Sequence, residues 1–166
     1  MQDTSSCGLF YPGTWAVIII GWVFVDHLNN QRETRKEIRA RVDQIQTWIM
    51  EIADDATSYH TSDRDLSAER KLKSQIARTT KAISSLNLMI DSSLPYLAFQ
   101  FRNSISLHNF DTPDHKALSL TDEIIENIAG AAQDLIDALE NTYTKKYHLS
   151  TADTIKSIFS RVLFRK

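Results

Sequence analysis

The chain has 166 residues, about one domain's worth, and carries 19 Lys or Arg against 21 Asp or Glu; the formal charge of −2 gives no global attraction to nucleic acid. Only four Gly and three Pro occur, which argues against turn-rich β sandwiches and Gly-rich phosphate loops and leaves an all-α composition. A single cysteine, Cys7, excludes an intramolecular disulfide framework and any cysteine-only metal site.

The first predicted element is the run Leu9 to Val25, LFYPGTWAVIIIGWVFV, 17 residues without a charge. A bilayer core of ~30 Å needs about 20 apolar residues in a helix, with ~17 as the practical minimum. Residues 9–27 are therefore expected to form a single transmembrane helix, opened by Pro12, where a missing N–H costs little. Tyr11, Trp15 and Trp22 suit the headgroup level, and Ile18, Ile19, Ile20 and Phe24 supply the apolar body. A cleaved signal peptide would need a positive leader, but MQDTSSCG has no Lys or Arg, and no small-x-small site follows the run. Cys7 precedes the run, the wrong order for a lipoprotein signal. Gly13 and Gly21 lack the close Gly-x-x-x-Gly spacing of a dimerising span. Arg32, Arg35, Lys36, Arg39 and Arg41 follow on one side only. The positive-inside rule then places residues 1–8 outside and the C-terminal part in the cytoplasm, at the inner (plasma) membrane.

Residues 28–149 are expected to fold as an antiparallel bundle of three or four helices. Ile38, Val42, Ile45, Ile49, Ile52, Ala56 and Tyr59 recur at alternating spacings of four and three, one helical face, with no Gly or Pro between Val25 and this stripe. The polar stretch from Ser58 to Asp65 predicts a turn. A second helix, Leu66 to Ile90, carries Leu72, Ile76, Thr79, Ile83, Leu86 and Ile90. A third, Leu94 to Leu107, opens at Pro95 and carries Leu97, Phe101 and Ile105, with Tyr96 and Phe99 adding bulk. HNFDTPDHKALSL reads as a loop that ends at Ser119 or Thr121 as caps.

The fourth predicted helix, Leu120 to Tyr143, carries Ile124, Ile128, Ala131, Leu135, Leu139 and Thr142, flanked by Ile125, Ala132 and Ile136. Gly130 in its middle costs about 1 kcal/mol of propensity against Ala, so a close helix approach is expected there. Residues 64–81 hold six bases and two acids, while residues 120–140 hold six acids and no base, so these two helices are expected to be neighbours. The last segment, residues 150–166, is read as a basic amphipathic helix. Ile155, Ile158, Phe159, Val162 and Leu163 form its apolar face, with Lys156, Arg161, Arg165 and Lys166 outside it. Such a helix suits an anionic leaflet or a final bundle position equally.

A search for chemistry finds little. No two of His27, His60, His108, His115 and His148 sit three or four residues apart; His108, Asp111, Asp114 and His115 share a loop that matches no zinc pattern and reads as solvated. Asp54 and Asp55 are adjacent on a helix and face different ways. No Gly-x-Ser-x-Gly elbow, credible Ser-x-x-Lys site or Walker loop is present. The expectation is a non-enzyme with no cofactor or metal, acting as an anchored scaffold on a bilayer and a protein partner, with self-association possible and no specific nucleic acid. The alternative is a small effector of a bacterial toxin or antiviral defence system that oligomerises and permeabilises the membrane.

Overall fold

The computed structural model describes the backbone of residues 12–86, 93–107 and 109–163; the side chains of 12–14, 16, 17, 20, 23, 24 and 148–163 lie outside that description. Among the described residues there are four helices and no strand: α1 (Pro12–His60), α2 (Leu66–Ser85), α3 (Ser93–Ser106) and α4 (Glu123–Leu163). The chain divides into two units, Met1–Glu37 and Ile38–Lys166.

In the first unit, α1 begins at Pro12, as its fixed φ favours, and continues through Val25 into the polar residues Asp26 to Glu37. Among the described residues no helix is long and apolar enough to cross a membrane. The uncharged part of α1 from Pro12 to Val25 rises only about 21 Å at ~1.5 Å per residue, short of a ~30 Å core. Leu9, Phe10 and Tyr11, which the expected span needs, lie outside the described residues. The cut at residue 27 or 28 is not a helix boundary, because nothing between Val25 and His60 breaks the backbone ladder.

The second unit is a helical bundle, and its core is the stripe set read from spacing. Val42, Ile45, Ile49, Ile52, Ala56 and Tyr59 of α1 are buried, as are Leu72, Ile76, Thr79, Ile83 and Leu86 along and just after α2. Ile128, Leu135 and Leu139 face them from α4. Burying a Leu or Ile contributes roughly 1.5–3 kcal/mol, so these residues dominate the stability of the unit. Contacts fix the directions. The end of α1 bonds through Tyr59 to the start of α2 at Glu69 and through His60 to the end of α3 at Ile105, while Arg39 near the other end reaches Glu140 of α4. The helices therefore alternate up and down, as the five-residue turn between α1 and α2 requires of neighbours.

Local signals explain the boundaries. Asp65 caps α2, its Oδ1 accepting the Ser67 N–H at 2.7 Å. α4 starts later than predicted: its cap is Asp122, whose Oδ1 accepts the Ile124 N–H at 3.0 Å, while Ser119 instead accepts from Thr121 within the preceding turn. Ile90, the last position of the second predicted stripe, lies outside the described residues.

Three expectations change. On α3 the buried face is Leu94, Ala98, Phe101 and Ile105; Leu97 is half-buried, and Tyr96 and Phe99 are exposed. Among the described residues, a Cβ added at Gly130 meets nothing within 4 Å, so none of their helices approaches it closely. The predicted boundary at residue 150 is absent from the backbone, because α4 runs unbroken to Leu163 with no Pro or Gly after Gly130 to stop it.

Candidate functional site

Three surfaces are candidates, one on the first unit and two on the second. On the first unit, Trp15, Ile18, Ile19, Trp22 and Val25 are exposed, Trp22 to 77%. Steps of three and four place them along one side of α1. Ile20 and Phe24 lie on the same helix with side chains outside the described residues, and Tyr11 lies outside them altogether. Of the basic set that follows, Arg32, Lys36 and Arg41 are exposed and Arg35 is half-buried.

Arg39 has a different place. Its Nη1 donates to both carboxylate oxygens of Glu140, at 2.6 and 2.8 Å, and its Nε pairs with Asp43 at 2.9 Å. The guanidinium also lies 5.3 Å from the Tyr143 ring centroid. The hydrogen bond to Arg39 holds the Glu140 carboxyl below its usual range. Sequence alone assigned Arg39 to membrane topology, whereas the fold ties α1 to α4 through it.

The second surface is the closed end of the bundle. Glu69 is 3% exposed, yet it is charged and satisfied: the Tyr59 hydroxyl donates to Oε1 at 2.7 Å and Arg64 Nε donates to the same oxygen at 2.8 Å. The Arg64 hydrogen bond, reinforced by Tyr59, keeps the Glu69 carboxyl below the usual range. Burial, and then the neighbouring carboxylate, push the Tyr59 phenol up to about 12. His60 is fully buried, its Nε2 donating to the Ile105 carbonyl at 3.0 Å, and burial lowers its pKa.

The loop after α3 closes over this cluster. Phe110 is buried edge-on against Tyr59 at 5.2 Å. The two ring nitrogens of His115 lie 2.8 Å from the Asn109 carbonyl and 2.9 Å from that of Ser62, and the Leu118 N–H donates to the His60 carbonyl at 2.8 Å. The loop is solvated at Asp111 and Asp114, which are exposed, while Asn109 and Phe110 are buried and His115 half-buried against the bundle end. Asp111 adopts φ 53, a left-handed conformation that Asp tolerates, and its carboxylate takes Lys73 Nζ at 2.6 Å. Among the described residues no three His, Cys, Asp or Glu are grouped to hold a metal, and His108 lies outside them. Within this network Tyr59, His60, Glu69 and His115 each have a hydrogen-bond partner.

The third surface is a groove between α2 and α3. One part, about 620 Å³, is lined among others by Lys73, Thr80, Lys81, Ser84 and Arg102. A smaller apolar part, about 170 Å³, is bounded by Ile83, Leu94, Ala98 and Phe99 and shares Thr80, Ser84 and Arg102 with the first. No family model matches the chain, and comparison with curated proteins and with solved structures finds no similar protein.

The predicted pairing of basic α2 with acidic α4 is not what the ion pairs serve. Lys71 of α2 pairs with Asp55 of α1 at 2.7 Å and Lys73 with Asp111 of the loop. Arg78 sits over the Trp48 ring of α1 at 4.1 Å. Of the tail set, Ile155, Ile158, Phe159, Arg161, Val162 and Leu163 lie on α4 with their side chains outside the described residues; Arg165 and Lys166 lie outside those residues altogether. Sequence reasoning missed the Tyr59–Glu69–Arg64 network. Its signal was a Glu on the apolar side of α2, three residues before Leu72.

Proposed function

We propose that this chain is a bilayer-tethered interaction module: the apolar start of α1 engages a membrane, and the helical bundle holds a protein partner beside it. The observation that carries the reading is the exposed row Trp15, Ile18, Ile19, Trp22 and Val25. Exposing several large apolar side chains to water is costly at roughly 25 cal/mol per Å², and a contiguous row with indole rings suits the lipid interface. A spanning arrangement draws Leu9 to Tyr11 into the apolar length. The bases from Arg32 to Arg41 orient it with the bundle in the cytoplasm, at the inner membrane. The bundle is the part that holds the partner, since its own helices close its core and leave its surface for contact.

The test is membrane extraction of the full chain. Residence in the membrane fraction after alkaline carbonate washing, lost in Ile19→Asp with Trp22→Asp, supports the tether. A double variant that remains in the membrane fraction as the wild type does would overturn it. Thiol labelling adds the orientation: Cys7 should react with a membrane-impermeant reagent in intact cells, and reaction only after lysis reverses the topology.

A further inference from the structure

The groove between α2 and α3 combines uncompensated positive charge with an apolar chamber. Three cations stand along its wider part: Lys73, Lys81 and Arg102. Lys73 is neutralised by Asp111 at 2.6 Å. Lys81 and Arg102 are exposed and have no carboxylate partner among the described residues. The groove therefore carries about two positive charges, from Lys81 on α2 and Arg102 on α3. Arg102 lies where the wide part meets the small one, and beyond it Ile83, Leu94, Ala98 and Phe99 form the apolar chamber. Ser84 and Thr80 stand at the same junction. Their hydroxyls donate to the carbonyls of Lys81 and Ile76 in their own helix, which leaves oxygen lone pairs but no free donor there.

We infer that this groove binds a single-chain amphiphile with an anionic head, the head between Lys81 and Arg102 and the acyl tail in the chamber bounded by Leu94, Ala98 and Phe99. Charge complementarity selects the head: a carboxylate or phosphate accepts charge-assisted hydrogen bonds from both cations and needs no donor from the hydroxyls. The chamber selects the tail. At about 170 Å³ and lined by Ile83, Leu94, Ala98 and Phe99, it is below the ~300 Å³ usual for a whole-ligand pocket and takes an apolar chain segment, with the head in the wider part. The inference does not depend on the membrane tether, since the residues that carry it all lie in the second unit.

The experiment is photocrosslinking of the full chain with two amphiphiles that bear a diazirine on the acyl chain, one a fatty acid and one a lysophosphatidic acid. Crosslinked peptides are mapped by mass spectrometry. Label is expected on residues 80–84 or 94–102, and Lys81→Gln with Arg102→Gln should reduce it about a hundredfold, the loss of two charged contacts at about tenfold each. Both positions are exposed, so the double variant keeps its helical circular dichroism. Ser84→Trp, which fills the junction from the surface, should abolish the same label.

Label at residues 9–25 reports the tether and serves as the internal control, because it should not change in these variants. Whichever head group labels the groove more strongly identifies the source of the anion. Three results overturn the inference: groove label equally strong with the uncharged methyl ester, groove label unaffected by the double variant, or label confined to residues 9–25. Crosslinking here of an acidic amphipathic peptide, with neither amphiphile reacting, overturns it in favour of a protein ligand.

Discussion

Replacing Tyr59 by Phe isolates one atom of the buried network. The ring stays, with its edge contacts to Phe110 and His60 at centroid distances of 5.2 Å, and only the hydroxyl that donates to Glu69 at 2.7 Å is removed. A hydrogen bond to a charged acceptor contributes about 1.5–3 kcal/mol, so the variant should lose that much at pH 7. The pH dependence supplies a second readout. Burial and Glu69 raise the phenol from its ordinary 10.0 to about 12 in the folded chain. A raised folded value means the stabilisation is fully present below pH ~10 and is lost as pH rises through about 12, because the unfolded chain releases the proton first. A shift of that size corresponds to about 2–3 kcal/mol lost over that pH range at ~1.36 kcal/mol per pKa unit, burial being its first cause and the Glu69 bond its second. The assay is urea unfolding followed by far-ultraviolet circular dichroism, wild type against Tyr59→Phe, from pH 7 to 11.5. The difference should stay level to about pH 9.5 and then shrink toward zero. A neutral substitution at pH 7, or a difference that does not move between pH 9.5 and 11.5, refutes the reasoning.

Three further predictions follow from the same coordinates. Thr79 is 3% exposed and its hydroxyl has no hydrogen-bond partner among the described residues. Thr79→Val keeps the shape and removes the orphaned oxygen, so it should raise stability by about 1 kcal/mol in the same urea titration. Gly130 is exposed in mid-helix with open space where a Cβ would stand, so Gly130→Ala should stabilise by about 1 kcal/mol and raise the thermal midpoint by a few degrees. A loss on that substitution would mean that another surface covers the site. His60 has a folded pKa lowered by burial, so the stability it contributes is present above pH ~6.5 and is lost as pH falls below that value. His60→Gln, whose amide donates to the same Ile105 carbonyl and does not titrate, should lose less stability than the wild type between pH 7 and 5.

What the sequence determined is the helical character of the chain and the identity of most of its core. Alternating steps of four and three made one face apolar, and a face of that kind is buried wherever the helix packs; Val42 to Tyr59, Leu72 to Leu86 and Ile128 to Leu139 follow that rule. The turn after His60 and the loop ahead of Asp122 were equally legible, because few residues other than Gly, Pro and capping side chains stop a helix. The candidate surfaces were legible only in part: the exposed apolar row at Trp15 to Val25 is written in composition, whereas the α2–α3 groove is not.

Only the tertiary structure decided which neighbours each charge meets. Electrostatic complementarity between segments 64–81 and 120–140 suggested a pairing, but short-range geometry governs ion pairs. The partners of α2 became Asp55 and Asp111 because those carboxylates came within 4 Å. The same holds for Arg39, assigned by spacing to a membrane flank and placed by the fold on Glu140, and for Glu69, which is buried only because Tyr59 and Arg64 converge on one of its oxygens. Periodicity reports which side of a helix avoids water. Which helix covers that side depends on contacts between residues distant in sequence, such as the 101 positions from Arg39 to Glu140, and no local pattern encodes them.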